Sequence, residues 1–235
     1  MNCLLFMMGG SGTRFGADIP KQYIEIHGMP LFAYTLQAYG QCEFVDKVII
    51  VSNADWIDYT QEKAEKILAD KLLAVTIGGV TRSHSVKNGL LCCQKYLNSN
   101  DILLIHDATN PFIDEDALKQ AIIMATESGI AAVVTNQVHT LYRKSESRLE
   151  EVVPRETVCS GYSPEVFRFS EINGFYEHAD DQKLETITSA VALALDQGKA
   201  VKCVSANICN LKITYSHDMD VFKAIIDYRR DHLEG

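Results

Sequence analysis

The sequence has no C-x-x-C pair, no long apolar run, no internal repeat and no low-complexity linker. Its 22 basic side chains are outnumbered by 31 acidic ones, for a formal net charge of −9. Each shortage excludes a class of protein. A nucleic-acid binder carries a basic face, so this balance reads as a soluble cytoplasmic protein without a nucleic-acid partner. The cysteines (Cys3, Cys42, Cys92, Cys93, Cys159, Cys203 and Cys209) are scattered and odd in number. They read as reduced, mostly buried thiols in a reducing compartment, not as a disulfide framework or a zinc site. No apolar stretch approaches the ~18 residues of a membrane helix, so no membrane association is expected. The apolar start, Met1 to Met8, has no basic flank and runs straight into Gly9-Gly10. It reads as a buried strand and not as a signal peptide.

What is present is enough for a core: 235 residues, 47% hydrophobic and 23% charged. That length suits one domain, 1–235, better than two. Short apolar runs alternate with amphipathic stretches. Strands are expected at Leu4–Met8, Val45–Val51, Leu72–Ile77, Ile102–Ile105, Ala131–Val134 and Val201–Val204. Helices are expected from Pro30, over Asp55–Leu68, Ser85–Leu97, Asp114–Ser128, Ser170–Ala179 and Thr186–Leu195, and from Ser216 to about His232. Strand–helix alternation implies an α/β fold with a mostly parallel sheet covered on both faces. Such sheets bind ligands beyond the carboxyl ends of their strands, where the loops after Met8, Ile77 and Ile105 should emerge together. From His139 to Ser160 the pattern changes. Arg143 to Arg148 reads as an exposed turn between two short strands, either an arm at about 138–160 reaching out of the domain or an ordinary surface hairpin.

The first loop reads Gly9-Gly10-Ser11-Gly12-Thr13-Arg14-Phe15-Gly16, then Pro20-Lys21-Gln22. Glycines let backbone N–H groups approach and cradle phosphate oxygens, and Arg14 and Lys21 add positive charge. A dinucleotide fingerprint starting at Gly10 fails at Phe15, and a P-loop starting at Gly16 fails at Lys21-Gln22. The second loop is Gly78-Gly79-Val80-Thr81-Arg82-Ser83-His84-Ser85-Val86; the third is His106-Asp107-Ala108-Thr109-Asn110-Pro111-Phe112. Asp107, at a strand end, can hold a hydroxyl or a hydrated magnesium ion, or be a satisfied structural aspartate. His106 reads as a packing residue. Near the end, Asn210-Leu211-Lys212-Ile213-Thr214 places a lysine in an apolar strand, which calls for an anion.

The first loop with its short spacing to Pro20-Lys21-Gln22-Tyr23 resembles the signature of nucleotidyltransferases that join a nucleoside triphosphate to a sugar phosphate. It is similar to the 2-C-methyl-D-erythritol 4-phosphate cytidylyltransferases and their relatives, the ribitol-5-phosphate cytidylyltransferases. The third loop resembles that family's His-Asp-Ala-x-Arg-Pro, Asn210 to Thr214 its Asn-Ile-Lys-x-Thr, and Ser163-Pro164-Glu165-Val166-Phe167 its Thr-Pro-Gln-x-Phe. The resemblance covers nearly the whole chain in order. It implies a Rossmann-like, glycosyltransferase-A-like nucleotidyltransferase fold with a protruding hairpin arm that pairs two copies as a homodimer. It implies nucleotide contacts from Met8, Gly9, Gly10, Ser11, Gly12, Thr13, Gly79, Arg82, Ser85 and Ala108. It implies catalytic roles for Arg14, Lys21 and Lys212, and acceptor contacts from Asp107, Asn110, Arg155, Ser163 and Thr188, with Arg155 reaching the partner copy's substrate.

Three positions depart from the pattern. Asn110 stands for an arginine, Ser189 for the aspartate of a Thr-Asp pair at Thr188-Ser189, and Cys209 for a polar residue. Losing an arginine removes a bidentate anion fork. The nucleotide half is thus kept and the acceptor half altered. The implied reaction is attack by an acceptor phosphate oxygen on the α-phosphorus of CTP, with magnesium or another divalent cation bridging triphosphate oxygens and pyrophosphate leaving. The departures tilt the expected acceptor toward a ribitol-5-phosphate-type alditol phosphate for cell-surface polymer synthesis. Methylerythritol phosphate, of isoprenoid synthesis, is the alternative. A nucleotide-binding protein without turnover is a further one.

Overall fold

The computed structural model describes residues 1–10, 15, 16 and 18–233. Eleven strands occur among them: β1 (Asn2–Met8), β2 (Glu25–Ile26), β3 (Met29–Pro30), β4 (Lys47–Ser52), β5 (Leu72–Ile77), β6 (Ile102–Asp107), β7 (Ile130–Asn136), β8 (Leu141–Ser145), β9 (Arg148–Val153), β10 (Cys159–Arg168) and β11 (Lys202–Ser205). Eight α-helices occur with them: α1 (Leu31–Gln41), α2 (Ile57–Leu68), α3 (Arg82–Cys93), α4 (Glu115–Ser128), α5 (Phe169–His178), α6 (Asp181–Thr186), α7 (Ala190–Asp196) and α8 (Ser216–Leu233). Seven strands form one sheet in the order β11-β7-β10-β6-β1-β4-β5. Every neighbour pair is parallel except those that β10 makes, antiparallel to β6 and to β7.

The continuous apolar run of β1 follows from its burial on both faces. Leu4, Phe6 and Met8 pack with residues of α1, α2 and α4. Cys3, Leu5 and Met7 pack on the other face with residues of α3, α5 and α7. The result is a three-layer sandwich with the expected architecture. Its parallel strands end together, and β1, β5 and β6 deliver the three loops to one edge. Below that edge, α8 closes a third cluster of Ile26, Leu31, Phe112, Ile213 and Phe222, which ties the late segment to the front of the chain.

Local chemistry sets the helix ends. Asp114 caps α4 by accepting from Ala117 N, and Gly129 closes it at φ +90°. Thr81 accepts from His84 N, so α3 starts three residues before the expected Ser85. The expected helix Thr186–Leu195 starts later, at Ala190, and a separate helix, α6, ends where it was expected to begin. Ile187 turns extended at the end of α6, and Ser189 caps α7 by accepting from Ala192 N. The residues between them, Thr188 and Ser189, thereby become cavity wall. The expected apolar strand around Lys212 is also corrected. Residues 206–215 make no ladder, and Ile213 N donates instead to Thr109 O at 2.8 Å.

Strand β10 is the element the sequence pattern concealed. It carries Pro164, which cannot donate to a ladder, and its register to β7 shifts between Gly161 and Glu165. The Ser163–Pro164 bond is cis. Strands β8 and β9 form a separate antiparallel pair, with Tyr142, Leu149 and Val152 exposed.

Candidate active site

Two cavities open at the carboxyl edge of the sheet, and Arg82, Asp107 and Lys212 line both. The first, about 510 Å³, lies among the three strand-end loops. Met8, Gly9, Gly10, Lys21, Gly79, Ser85 and Ala108 line it, as the sequence led us to expect. The remaining expected residues of the first loop, Ser11, Gly12, Thr13 and Arg14, lie outside the described residues. The second, about 330 Å³, holds Asn110, Ser163 and Thr188. Arg155 lies in neither. It sits at the base of the β8–β9 hairpin, exposed, donating to Val138 O at 3.3 Å and flanked by Glu156.

Glycine is required where the first two loops meet. A Cβ on Gly78 would stand 2.9 Å from Ser85 Oγ and 3.2 Å from Gly9 Cα, and one on Gly79 would stand 2.5 Å from His84 Cβ. The Ser85 hydroxyl donates to Thr81 O and accepts from Gly79 N, each at 2.9 Å, which ties the second loop to the start of α3. The buried side chain of Gln22 donates to Met8 O at 2.8 Å and to Gly10 O at 2.6 Å. It pins the start of the glycine loop, a role hidden in the sequence because no charge or glycine marks it.

The shared wall is an ion-pair chain. Arg82 Nε donates to both Asp107 oxygens, at 2.9 and 3.2 Å, and Lys212 Nζ donates to Asp107 Oδ2 at 3.0 Å. Arg82 Nη2 reaches Glu165 Oε2 at 3.3 Å. Burial alone would raise the Asp107 carboxyl, but Arg82 and Lys212 outweigh it and lower it to about 2. Arg82 is pushed above the ordinary arginine range: burial works against its charge, and Asp107 and Glu165 more than compensate. Asp107 is held in place by both cations at the junction of the two cavities. Lys212 finds its anion in Asp107, with its side chain 53% exposed toward the cavities.

Lys21 Nζ donates to Ile213 O at 2.5 Å, which joins the first loop to the segment carrying Lys212. His106 is a packing residue, as read. It is fully buried, accepting from Tyr39 OH at Nδ1 (2.7 Å) and donating from Nε2 to Asn110 O (2.8 Å). Burial lowers it to about 4, so it is neutral and unavailable as a base. Asn110 carries no cation into the second cavity, and its carboxamide makes no hydrogen bond among the described residues.

Glu165 is the site residue that motif reading passed over. It is buried, lines the second cavity, and accepts from Val191 N at 3.1 Å and Ala190 N at 3.3 Å in addition to Arg82. The signal was present: a glutamate stands where the resembled motif has glutamine.

Comparison with known proteins agrees with this geometry. A sequence model of the family described as "IspD: 2-C-methyl-D-erythritol 4-phosphate cytidylyltransferase" matches residues 3–228. The chain is 30% identical over 225 residues to the 2-C-methyl-D-erythritol 4-phosphate cytidylyltransferase of Thermotoga neapolitana, covering 96% of each chain. It is 32% identical over 223 residues to the enzyme so named in Geobacter metallireducens, covering 94% of this chain and 96% of the relative. The fold matches the crystal structure of 4-diphosphocytidyl-2C-methyl-D-erythritol synthase from Anaerococcus prevotii at a TM-score of 0.78 and 23% identity, over 97% and 98% of the two chains. It matches 2-C-methyl-D-erythritol 4-phosphate cytidylyltransferase from Thermus thermophilus at a TM-score of 0.74 and 22% identity, over 97% and 100%.

Proposed function

The chain belongs to the 2-C-methyl-D-erythritol 4-phosphate cytidylyltransferase family and is a cytidylyltransferase; on that premise we propose that it transfers CMP from CTP to methylerythritol phosphate, releasing pyrophosphate. The observation that carries this reading is the pair of cavities with one charged wall between them. One is glycine-lined and fits a nucleotide. The other is lined by Ser163, Thr188, Ser189 and Asn110 and fits a small hydroxylated acceptor. The order of the two acceptors weighed from the sequence is thereby reversed. Relatives named for methylerythritol phosphate span 94–96% of the chain, which outweighs three altered positions.

In this reading the acceptor phosphate is its own nucleophile. A phosphate monoester has a second pKa of about 6 and is largely ionised at neutral pH, so no general base is needed, in keeping with the buried, neutral His106. The protein's work is to hold two anions together and neutralise them. Lys21 faces the triphosphate; Arg14, outside the described residues, is assigned the same role by the resemblance alone. Lys212, on the shared wall, faces the reacting phosphates and exchanges Asp107 for them. Ser163, Thr188 and Asn110 meet the acceptor's hydroxyls. The chain itself offers a divalent cation little. No group of three or more His, Cys, Asp or Glu converges among the described residues, and the Asp107 oxygens are engaged by Arg82 and Lys212. A magnesium ion, if bound, would be held mainly by the nucleotide and would supply charge neutralisation there. The exposed β8–β9 hairpin, with Arg155 at its base, is proposed as the arm that pairs two copies and brings Arg155 to the partner's acceptor.

The test is formation of a CDP-polyol from CTP with methylerythritol phosphate against ribitol 5-phosphate. The proposal expects methylerythritol phosphate to be preferred at least tenfold in kcat/KM, a margin of about 1.4 kcal/mol in transition-state binding. A preference for ribitol 5-phosphate restores the other acceptor, which Asn110 and Ser189 favour.

A further inference from the structure

Glu165 is unexplained by the reaction as so far described. It is 8% exposed, touches the second cavity and does not line the first. Its carboxylate joins three elements: Oε1 accepts from Val191 N in α7, and Oε2 accepts from Ala190 N and from Arg82 Nη2 at the start of α3. It is held from β10 by the strand that the Pro164 irregularity offsets against β7.

Arg82 needs such a partner. Its single Nε–H is shared between the two Asp107 oxygens and its Nη2 is on Glu165, while Nη1 is buried without a partner among the described residues. The guanidinium is therefore oriented by two carboxylates on different sides, not by a saturated set of hydrogen bonds. Removing one carboxylate leaves most of its buried donors unsatisfied, which favours rotation away from Asp107. Asp107 would then lose the partner that fixes its plane. Lys212, held by the same carboxylate, would lose its anchor.

Resting on the acceptor reading above, we propose that Glu165 is a positioning residue for the acceptor half of the site, acting through Arg82 to fix Asp107 and Lys212. Position 189 is its counterpart. The Ser189 hydroxyl accepts from Ala192 N, next to the two amides that Glu165 takes, so residues 165 and 189 serve consecutive amides of one helix start. Two carboxylates there would repel each other, so one suffices. This chain carries it at 165 and a neutral hydroxyl at 189. The motifs it resembles carry glutamine and aspartate at those two places. The negative charge at this helix start is kept, and its attachment point has moved to the residue that touches Arg82.

The experiment compares wild type, E165Q and the double variant E165Q/S189D in steady-state kinetics with CTP and methylerythritol phosphate, and in crystal structures of the three. E165Q should raise the acceptor KM about tenfold while the CTP KM stays within about twofold. Its Arg82 should leave the bifurcated Nε–H contact with Asp107. The double variant should recover both. An E165Q protein with an unchanged acceptor KM and an unmoved Arg82 overturns the proposal. So does a parallel loss in both KM values and in thermal stability that S189D does not relieve, which is the mark of a merely structural residue. Wild-type protein inactive with methylerythritol phosphate would count against the acceptor reading alone. Displacement of Arg82 in E165Q and its return in the double variant would then still support the positioning role, and an unmoved Arg82 would overturn it.

Discussion

The two cavities share Arg82, Asp107 and Lys212 but are built in different ways. The first is shaped by closely packed loop main chain beside the charged side chains: Gly9, Gly78 and Gly79 approach so closely that a Cβ meets its neighbours at 2.5–3.2 Å, and Ser85 and Gln22 spend their polar atoms holding loop backbone. The second is made of side chains drawn from β6, β7, β10, the link between α6 and α7, and the segment before α8. A surface of backbone amides tolerates few sequences and reads any phosphate-bearing ligand in much the same way. A surface of side chains can be rewritten one residue at a time. Two of the three departures named from the sequence, Asn110 and Ser189, line this second cavity, as does Glu165 in place of a glutamine, while Cys209 does not.

The largest test of this contrast is Lys21→Ala. Removing a cation from the nucleotide side should lower kcat by roughly a thousandfold, comparable to the loss of a strong oxyanion donor, with the thermal midpoint moving by only a few degrees. Turnover near that of wild type would remove Lys21 from the machinery.

Next in size is a property of the support beneath both cavities. His106 is lowered from its unfolded value to about 4 by burial. The unfolded chain takes up a proton as the pH is lowered below its own histidine value, and the folded one does not until about pH 4. Stability is therefore full above about pH 6.5 and declines as pH falls toward 4, by about 3 kcal/mol for this group alone. Denaturant titrations at pH 7 and pH 4.5 should show that slope, reduced in His106→Gln. An equal slope in that variant would assign the effect elsewhere.

Smaller effects separate the two cavities directly. Gly79→Ala should raise the CTP KM about tenfold by forcing the second loop away from His84, a close contact that costs about 1–3 kcal/mol, and should leave the acceptor KM nearly alone. Thr188→Ala should do the reverse, raising the acceptor KM only severalfold, since one neutral hydrogen bond is worth about 1 kcal/mol. If both variants moved both constants equally, the division into two halves would fail.

The sequence made some parts of this molecule easy to read. Buried parallel strands such as β1 and β6 show as short apolar runs, and Asp114 and Gly129 punctuate α4. The first cavity was legible because its chemistry sits in short glycine-rich strings. The rest was hidden for physical reasons. Pro164 disguised β10 as a break, although the strand bends around it. The α6–α7 link looked like continuous helix because the cap at Ser189 lies inside an otherwise helical composition. Lys212 was rightly matched to an anion, but the anion is Asp107, more than a hundred residues away in the chain, and only the folded chain brings the two within 3.0 Å.

The most direct test of the central claim is pyrophosphate release by the purified protein with magnesium, crossing the four ribonucleoside triphosphates against methylerythritol phosphate, ribitol 5-phosphate and glycerol 3-phosphate. The account predicts release with CTP and methylerythritol phosphate well above every other combination. Release with another acceptor in preference, or none at all while CTP still binds, would contradict it.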